Sequence, residues 1–262
     1  MSAQNNKSLG QHWLKDPDVL AGIADAAELT QEDTVLEIGP GLGTLTSRLL
    51  ARADRVVAVE FDSALARKLP GQFPGKNLEV VSKDILQFDP SSLPAGYKVV
   101  ANVPYYITSK IIQRFSETSN PPSLMVLLIQ KEVAERLAAG PGDYSVLAIA
   151  AQVFHEVVLD QVVPAVFFTP PPKVDSQVVI LRRRPVPLVD YLRQADFFRL
   201  VKAGFSAKRK KLRSSLAGGL HLSKSSIEEL LQSAQIDPDA RAEDLTIDEW
   251  LTLLSKYDTI KE

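Results

Sequence analysis

Asn102-Val103-Pro104-Tyr105 follows directly on the apolar run Val99-Val100-Ala101. This tetrapeptide places a neutral amide acceptor, a fixed backbone carbonyl and an aromatic face at the end of one strand. Pro104 lacks a backbone donor and holds Val103 extended, so the Val103 carbonyl is not drawn into a helical turn. Two acceptors beside a stacking ring suit an exocyclic amino group on a flat heterocycle. An ordinary strand-to-loop turn can carry the same four residue types, so the motif gains meaning only beside a second site.

That second site is Val35-Leu36-Glu37-Ile38-Gly39-Pro40-Gly41-Leu42-Gly43, a strand running into a glycine-rich turn and then a helix. Gly39 and Gly41 let the backbone pass close to a ligand without a Cβ in the way. A dinucleotide fingerprint reads G-x-G-x-x-G, whereas this loop reads G-x-G-x-G after an acidic residue. A loop that need not receive a pyrophosphate fits a ligand such as S-adenosylmethionine. Glu60 ends the next strand, where its carboxylate can accept from both ribose hydroxyls of such a ligand. Asp84 ends a third strand and can accept from an adenine amino group, with Ile85 packing on the ring; on its own Asp84 reads as a helix N-cap. The fourth strand delivers Asn102 to the same edge, and ligands of open parallel sheets bind at the carboxyl ends of the strands.

The elements that must hold these residues alternate short β-branched runs with helical stretches, as in an α/β sheet covered on both faces. Strands are predicted over 34–38, 55–60, 78–82, 98–102 and 124–129, and helices over 18–27, 45–51, 63–69, 109–117 and 131–139. Two further runs, 153–163 and 177–182, are expected as an antiparallel edge pair, separated by a stiff loop at Pro170-Pro171-Pro172. Beyond Arg184-Pro185-Val186-Pro187 the pattern becomes wholly helical, with apolar stripes through Phe197, Phe198, Val201 and Phe205, then Ile227, Leu230 and Leu231, then Trp250, Leu251, Leu253 and Leu254. Gly218-Gly219 reads as a break, Ser223–Ser226 as a helix start, and Thr246 with Glu249 as a capping box. The expected division is a Rossmann-like domain over 1–184 and a small helical domain over 185–262.

Composition is that of an ordinary globular chain, with 45% hydrophobic and 24% charged residues. No apolar run reaches the ~20 residues of a membrane span, and the N-terminus has no signal-peptide pattern. The absence of cysteine and the three scattered histidines argue against disulfides, thiolate chemistry and a metal site. The cytoplasm and a monomeric state are expected. Net charge is −2, but residues 173–213 carry +9 and the remainder −11. A basic block on an acidic body suits a protein that docks one face on a polyanion; a solvated basic helix face is the alternative. The candidate contacts are Arg182, Arg183, Lys208, Arg209, Lys210, Lys211 and Arg213.

Taken together, these motifs resemble the KsgA-type (RsmA) small-subunit rRNA adenine dimethyltransferases over nearly the whole chain. The matching blocks are Ser8-Leu9-Gly10-Gln11-His12-Trp13-Leu14, Glu37 to Gly43, Glu60, Asp84-Ile85, Asn102 to Tyr105, Phe168-Thr169-Pro170-Pro171-Pro172-Lys173-Val174-Asp175-Ser176, and Phe205 to Arg213. The resemblance implies a class I S-adenosylmethionine-dependent methyltransferase sheet. It also implies that residues 8–14 fold over the donor, with His12 and Leu14 contacting it, and that Phe168 stacks on the face of the target base opposite Tyr105. The implied substrate is two adjacent adenines near the 3′ end of 16S rRNA, in the 30S subunit or its precursor, converted to N6,N6-dimethyladenine. His12 departs from the more common Asn, and Val103 from Leu or Ile. A 23S rRNA dimethyltransferase of the macrolide-resistance type shares the donor and Asn-x-Pro-Tyr motifs and is the nearest alternative. A DNA adenine methyltransferase and a non-catalytic 30S assembly factor are the others.

Overall fold

The computed structural model describes residues 12–207 and 209–261. The elements in chain order are β1 (Trp13–Leu14), α1 (Pro17–Ala26), β2 (Thr34–Ile38), α2 (Thr44–Leu49), β3 (Arg55–Glu60), α3 (Ser63–Lys68), β4 (Leu78–Ser82), β5 (Lys98–Asn102), α4 (Thr108–Glu117), β6 (Leu124–Gln130), α5 (Lys131–Leu137), α6 (Val146–Gln152), β7 (His155–Val163), β8 (Phe168–Thr169), β9 (Ser176–Arg183), α7 (Gln194–Gly204), α8 (Leu212–Leu220), α9 (Lys224–Ser233) and α10 (Ile247–Lys261). Five of the strands coincide with the β-branched runs of the sequence. The short helix α6 and the two-residue strands β1 and β8 lie below the length at which periodicity speaks.

Seven strands form one sheet in the order β4-β3-β2-β5-β6-β9-β7. The pairs β2–β3, β2–β5, β3–β4 and β5–β6 are parallel, and β9 runs antiparallel to β6. Strand order reverses between β2 and β5, which puts the crevice for a ligand above their carboxyl ends. Val35, Val56, Val100, Val126 and Leu128 are buried in the core of this unit with Leu20, Ile23 and Leu49. Such fully apolar strands are what a sheet covered on both faces requires.

Two compact units divide the chain. One runs up to Glu135 and resumes over Glu156–Arg183, and the other takes Arg136–His155 and Arg184–Glu262. The single boundary expected at 184 therefore misses the segment 136–155, which belongs with the helical residues. Composition marks where helical periodicity begins but not which core an earlier segment joins. In the second unit Ile149, Phe197, Leu200, Val201, Leu216, Ile227, Leu231, Trp250 and Leu253 are buried in one cluster. The Thr246 hydroxyl accepts from the Glu249 amide at 3.1 Å while Glu249 accepts from the Thr246 amide at 2.7 Å, a reciprocal cap at the start of α10.

Gly218-Gly219 is not a break; both residues lie inside α8. A Cβ on Gly219 would stand 2.6 Å from the Ala203 Cα, so the glycine is there to let α8 approach α7. Glycine inside a helix costs about 1 kcal/mol of propensity, and the close contact between helices offsets it.

Candidate active site

The carboxyl ends of β2, β3 and β5, with the turn after β4, border a cleft. Gly39 and Gly41 sit on its floor with φ of +67° and +54°, a backbone region that disfavours a side chain. A Cβ on Gly39 would meet nothing within 4 Å and would stand in the space beside the loop. That cradle, together with acceptors at successive strand ends, fits an adenosyl ligand.

Glu60 is buried and both its oxygens are engaged by backbone. Oε2 accepts from the Gly41 amide at 3.0 Å and Oε1 from the Asp62 amide at 2.8 Å. The carboxylate thus ties the glycine loop to the end of β3, and two lone-pair directions remain for ribose hydroxyls. Burial raises its pKa, and the backbone donors at Asp62 and Gly41 pull it back. Asp84 uses Oδ1 to cap the short 3-10 turn that follows, accepting from the Leu86 amide at 2.9 Å. The capping role and a ligand-facing role are compatible, because Asp84 and the buried Ile85 both line the cleft.

At the end of β5 the Asn102 Nδ2 group donates to the His12 main-chain carbonyl at 3.1 Å. A carbonyl can only accept, so this contact fixes the amide flip and leaves Asn102 Oδ1 as the acceptor. The Val103 amide donates to the Leu128 carbonyl at 3.1 Å, which extends the sheet one residue further. Among the described residues no donor reaches the Val103 carbonyl. Pro104 then turns the chain into a 3-10 segment (Tyr105–Ile107). The Tyr105 hydroxyl and Ser176 Oγ are 2.8 Å apart. Burial raises the Tyr105 pKa.

His12 and Leu14 both line the cleft, as do Asn102, Val103, Pro104 and Tyr105. Thr44 donates to the Leu14 carbonyl at 3.0 Å, which fastens β1 to the start of α2. The rest of the expected lid, Ser8 to Gln11, lies outside the described residues. Phe168 is not on the cleft. Only 3% of its surface is exposed, it packs in the core of its unit, and it pairs with Leu14 across β1–β8. Pairing alternates side chains between the faces of a strand, and this register turns Phe168 inward.

The cleft residues that were not among the site candidates taken from the sequence include Glu37, Trp13, Phe61 and Tyr106. Glu37 is 1% exposed and one of its oxygens has no hydrogen-bond partner. Burial pushes its carboxyl up to about 8, with Thr46 opposing and the nearby Glu60 adding to the rise. The acid before the glycine loop was the available signal for Glu37. Phe61 and Tyr106 are 62% and 66% exposed on the rim, and an aromatic following Glu60 or Tyr105 was the only cue for either.

The basic candidates do not form one cluster. Arg182 is paired with Glu28 at 2.7 Å, and half-buried Arg183 donates to the Ser116 carbonyl at 2.8 Å, so both serve the first unit. In the second unit Lys211 pairs with Asp239 at 2.7 Å, and Arg213 with Glu228 at 3.0 Å and Asp239 at 3.4 Å. Arg209 and Lys210 are exposed on the turn before α8 rather than on a helix face, and no ion pair among the described residues engages them. Lys208 lies outside the described residues.

An open sheet with a glycine loop, two acidic strand ends and an Asn-x-Pro-Tyr turn at one edge defines a class I methyltransferase that uses S-adenosylmethionine. The model of the ribosomal RNA adenine dimethylase family matches residues 2–259. A ribosomal RNA small subunit methyltransferase A of Dehalococcoides mccartyi is 43% identical over 96% of this chain and 88% of its own length. The protein of the same name from Bacillus mycoides is 40% identical over 94% of this chain and 89% of its own. Among solved structures, a dimethyladenosine transferase from Plasmodium falciparum has a TM-score of 0.81 at 29% identity, covering 95% of this chain and 98% of that one. A 23S rRNA methyltransferase, ErmE, has a TM-score of 0.75 at 30% identity, covering 94% and 99%. The chain belongs to the ribosomal RNA adenine dimethylase family. It is an enzyme, an rRNA adenine dimethyltransferase.

Proposed function

We propose that this enzyme methylates N6 of two adjacent adenines near the 3′ end of 16S rRNA, in the 30S subunit or its precursor, giving N6,N6-dimethyladenine and serving 30S biogenesis. The observation that carries the chemistry is the fixed amide of Asn102. Its donor end is held by the His12 carbonyl, so its oxygen stands free beside the Val103 carbonyl on the edge that bears the glycine loop. The choice of small-subunit rRNA follows the names of relatives at 40–43% identity, against 30% for ErmE, a 23S rRNA methyltransferase.

Adenine N6 is a poor nucleophile because its lone pair is delocalised into the ring. Asn102 Oδ1 and the Val103 carbonyl accept one N6 hydrogen each and hold them off the ring plane. The nitrogen is thereby pyramidalised and its lone pair localised. S-adenosylmethionine supplies an electrophilic sulfonium methyl group when bound. The N6 proton becomes acidic only after transfer, so no general base is required. The catalytic contribution is positioning and preorganised electrostatics. Extrusion of the base costs a few kcal/mol, and stacking on the Tyr105 ring returns ~1–3 kcal/mol.

Glu60 and Asp84 hold the ribose and adenine of the donor, with Ile85 on the adenine face and Leu14 and His12 at the other end. Arg209, Lys210 and Lys208 bear on rRNA phosphates, which orient the protein without reading sequence. Arg182, Arg183, Lys211 and Arg213 already have protein partners and are not part of this reading. The enzyme acts as a cytoplasmic monomer.

Primer-extension mapping on undermethylated 30S particles tests the proposal. Two neighbouring stops near the 16S 3′ end are expected with the wild type, and Asn102→Ala should lower single-turnover methylation by on the order of 10²–10³-fold. The absence of stops near the 16S 3′ end with the wild type, or an Asn102→Ala rate equal to wild type, would overturn it.

A further inference from the structure

We propose that Tyr106 and Lys110 seat the nucleotide next to the target adenine on the same strand, Tyr106 by stacking on its base and Lys110 by pairing with its phosphate. This rests on the adenine-transfer reading above. An extruded base stays joined to its strand, so the strand must cross the rim of the cleft beside the base.

Among the described residues that line the cleft, Phe61 and Tyr106 are the large apolar side chains left exposed, at 62% and 66%. They stand on different sides of the chemistry. Phe61 follows Glu60 at the end of β3, on the side of the donor ribose. Tyr106 follows Tyr105 and borders the cleft with Asn102 and Val103, on the side of the target amine. The Tyr105 hydroxyl is held by Ser176, whereas no hydrogen bond or ring contact among the described residues engages the Tyr106 side chain. A free ring at the lip of a base-binding cleft is a stacking platform, and stacking of this kind tolerates any base because every base has a π-face.

The 3-10 segment that carries Tyr106 runs directly into α4. Ile111, Ile112 and Phe115 are the buried side of that helix, and Tyr106, Lys110 and Gln113 are exposed along the other. At 1.5 Å per residue Lys110 lies about 6 Å beyond Tyr106, the span from a base to the phosphate of its own nucleotide. Lys110 makes no ion pair among the described residues. It stands in the first turn of α4, an end that no side chain caps and where the helix dipole favours an anion.

The contact ends there. The groove beyond Lys110 is lined by Asp89, Gln113, Arg114 and Glu117. Its two acids repel a second phosphate, and Arg114 is committed to the Phe88 carbonyl. One nucleotide therefore fits the surface, and a longer tract does not.

The test measures steady-state methylation of undermethylated 30S particles by wild type, Tyr106→Ala, Tyr106→Leu, Tyr106→Phe and Lys110→Gln. Tyr106→Ala should lower kcat/KM on the order of 10-fold, with the loss mainly in KM, because the stack forms on binding and persists through transfer. Tyr106→Leu should be as poor as Tyr106→Ala, and Tyr106→Phe should stay close to wild type, since a ring and not apolar bulk is needed. Lys110→Gln should flatten the log–log salt dependence of 30S binding by ~0.7. Calorimetric affinity for S-adenosylmethionine should stay within about twofold of wild type in all four variants, which also reports that they are folded.

A Tyr106→Ala enzyme equal to wild type overturns the proposal. So does a loss confined to kcat, which would place Tyr106 on the target adenine itself, or a loss of donor affinity, which would place it on the donor. Tyr106→Leu matching Tyr106→Phe, or an unaltered salt slope for Lys110→Gln, overturns the stacking or the phosphate half respectively. Absence of 30S methylation by the wild type removes the adenine-transfer reading first, whatever these variants do.

Discussion

Replacing Glu60 by Gln changes one atom, and the structure dictates where the damage falls. Both carboxylate oxygens accept backbone amides, from Gly41 at 3.0 Å and from Asp62 at 2.8 Å. A glutamine has a single oxygen, so one of the two amides must face an NH2 group. A hydrogen bond to a charged acceptor contributes about 1.5–3 kcal/mol. The loss is partly offset, because burial already disfavours the charged form of Glu60. A net destabilisation of the ligand-free protein by roughly 1–2 kcal/mol at pH 7 is expected from these two terms. Donor binding should weaken in addition, on the order of 10-fold, since the glycine loop is no longer fixed and a charged ribose acceptor is lost. Urea unfolding of the free protein measures the first effect, and titration calorimetry with S-adenosylmethionine the second. An unfolding midpoint equal to wild type would refute the loop-anchoring role. Unchanged donor affinity with reduced stability would refute the ribose role and leave Glu60 a structural brace.

Glu37→Gln carries a pH signature. Its folded pKa of about 8 stands above the ordinary 4.5, so the folded state holds the extra proton and wild-type stability falls as pH rises from about 4.5 to about 8, with a limiting slope of ~1.4 kcal/mol per unit. The variant should match wild type near pH 5 and exceed it by pH 8 in chemical unfolding, and parallel curves would show that Glu37 is not held protonated. Tyr105→Phe keeps the ring but strands the buried Ser176 hydroxyl, so an intermediate fall in turnover is expected, with Tyr105→Ala much worse; the 30S methylation rate decides, and equality of Phe with Ala would assign the role to the hydroxyl instead of stacking. Neutralising Arg209 and Lys210 together should flatten the salt dependence of 30S binding by ~0.7–0.9 log–log units per lost phosphate contact. Neutralising Lys211 and Arg213, already paired with Asp239 and Glu228, should instead lower thermal stability. Filter binding across salt concentrations tests the pair, and an unaltered slope for Arg209 and Lys210 would remove this turn from the docking surface.

The sequence by itself determined the five parallel-sheet strands, because short runs rich in apolar and β-branched residues mark strands both at the buried centre, as in β5 and β6, and at the less buried edge, as in β4. It also determined which residues meet at the sheet edge. A strand end followed by a glycine, an acid or Asn-x-Pro-Tyr places that residue at the carboxyl edge whatever the rest of the chain does, so Gly39, Glu60, Asp84 and Asn102 were legible. Tertiary structure alone decided what these residues touch. The Asn102 flip depends on a carbonyl 90 positions away at His12, and no local pattern encodes it. The Phe168 ring is turned inward by a two-residue pairing with Leu14 too short to have a period. Lys211 and Arg213 look free in a basic run but meet Asp239 across the helical unit. Gly219 looks like a break until α7 is seen against it. Local sequence fixes backbone direction and the residue at each strand end. Pairing, flips and helix contacts arise between segments distant in the chain, and they are set only when the chain packs.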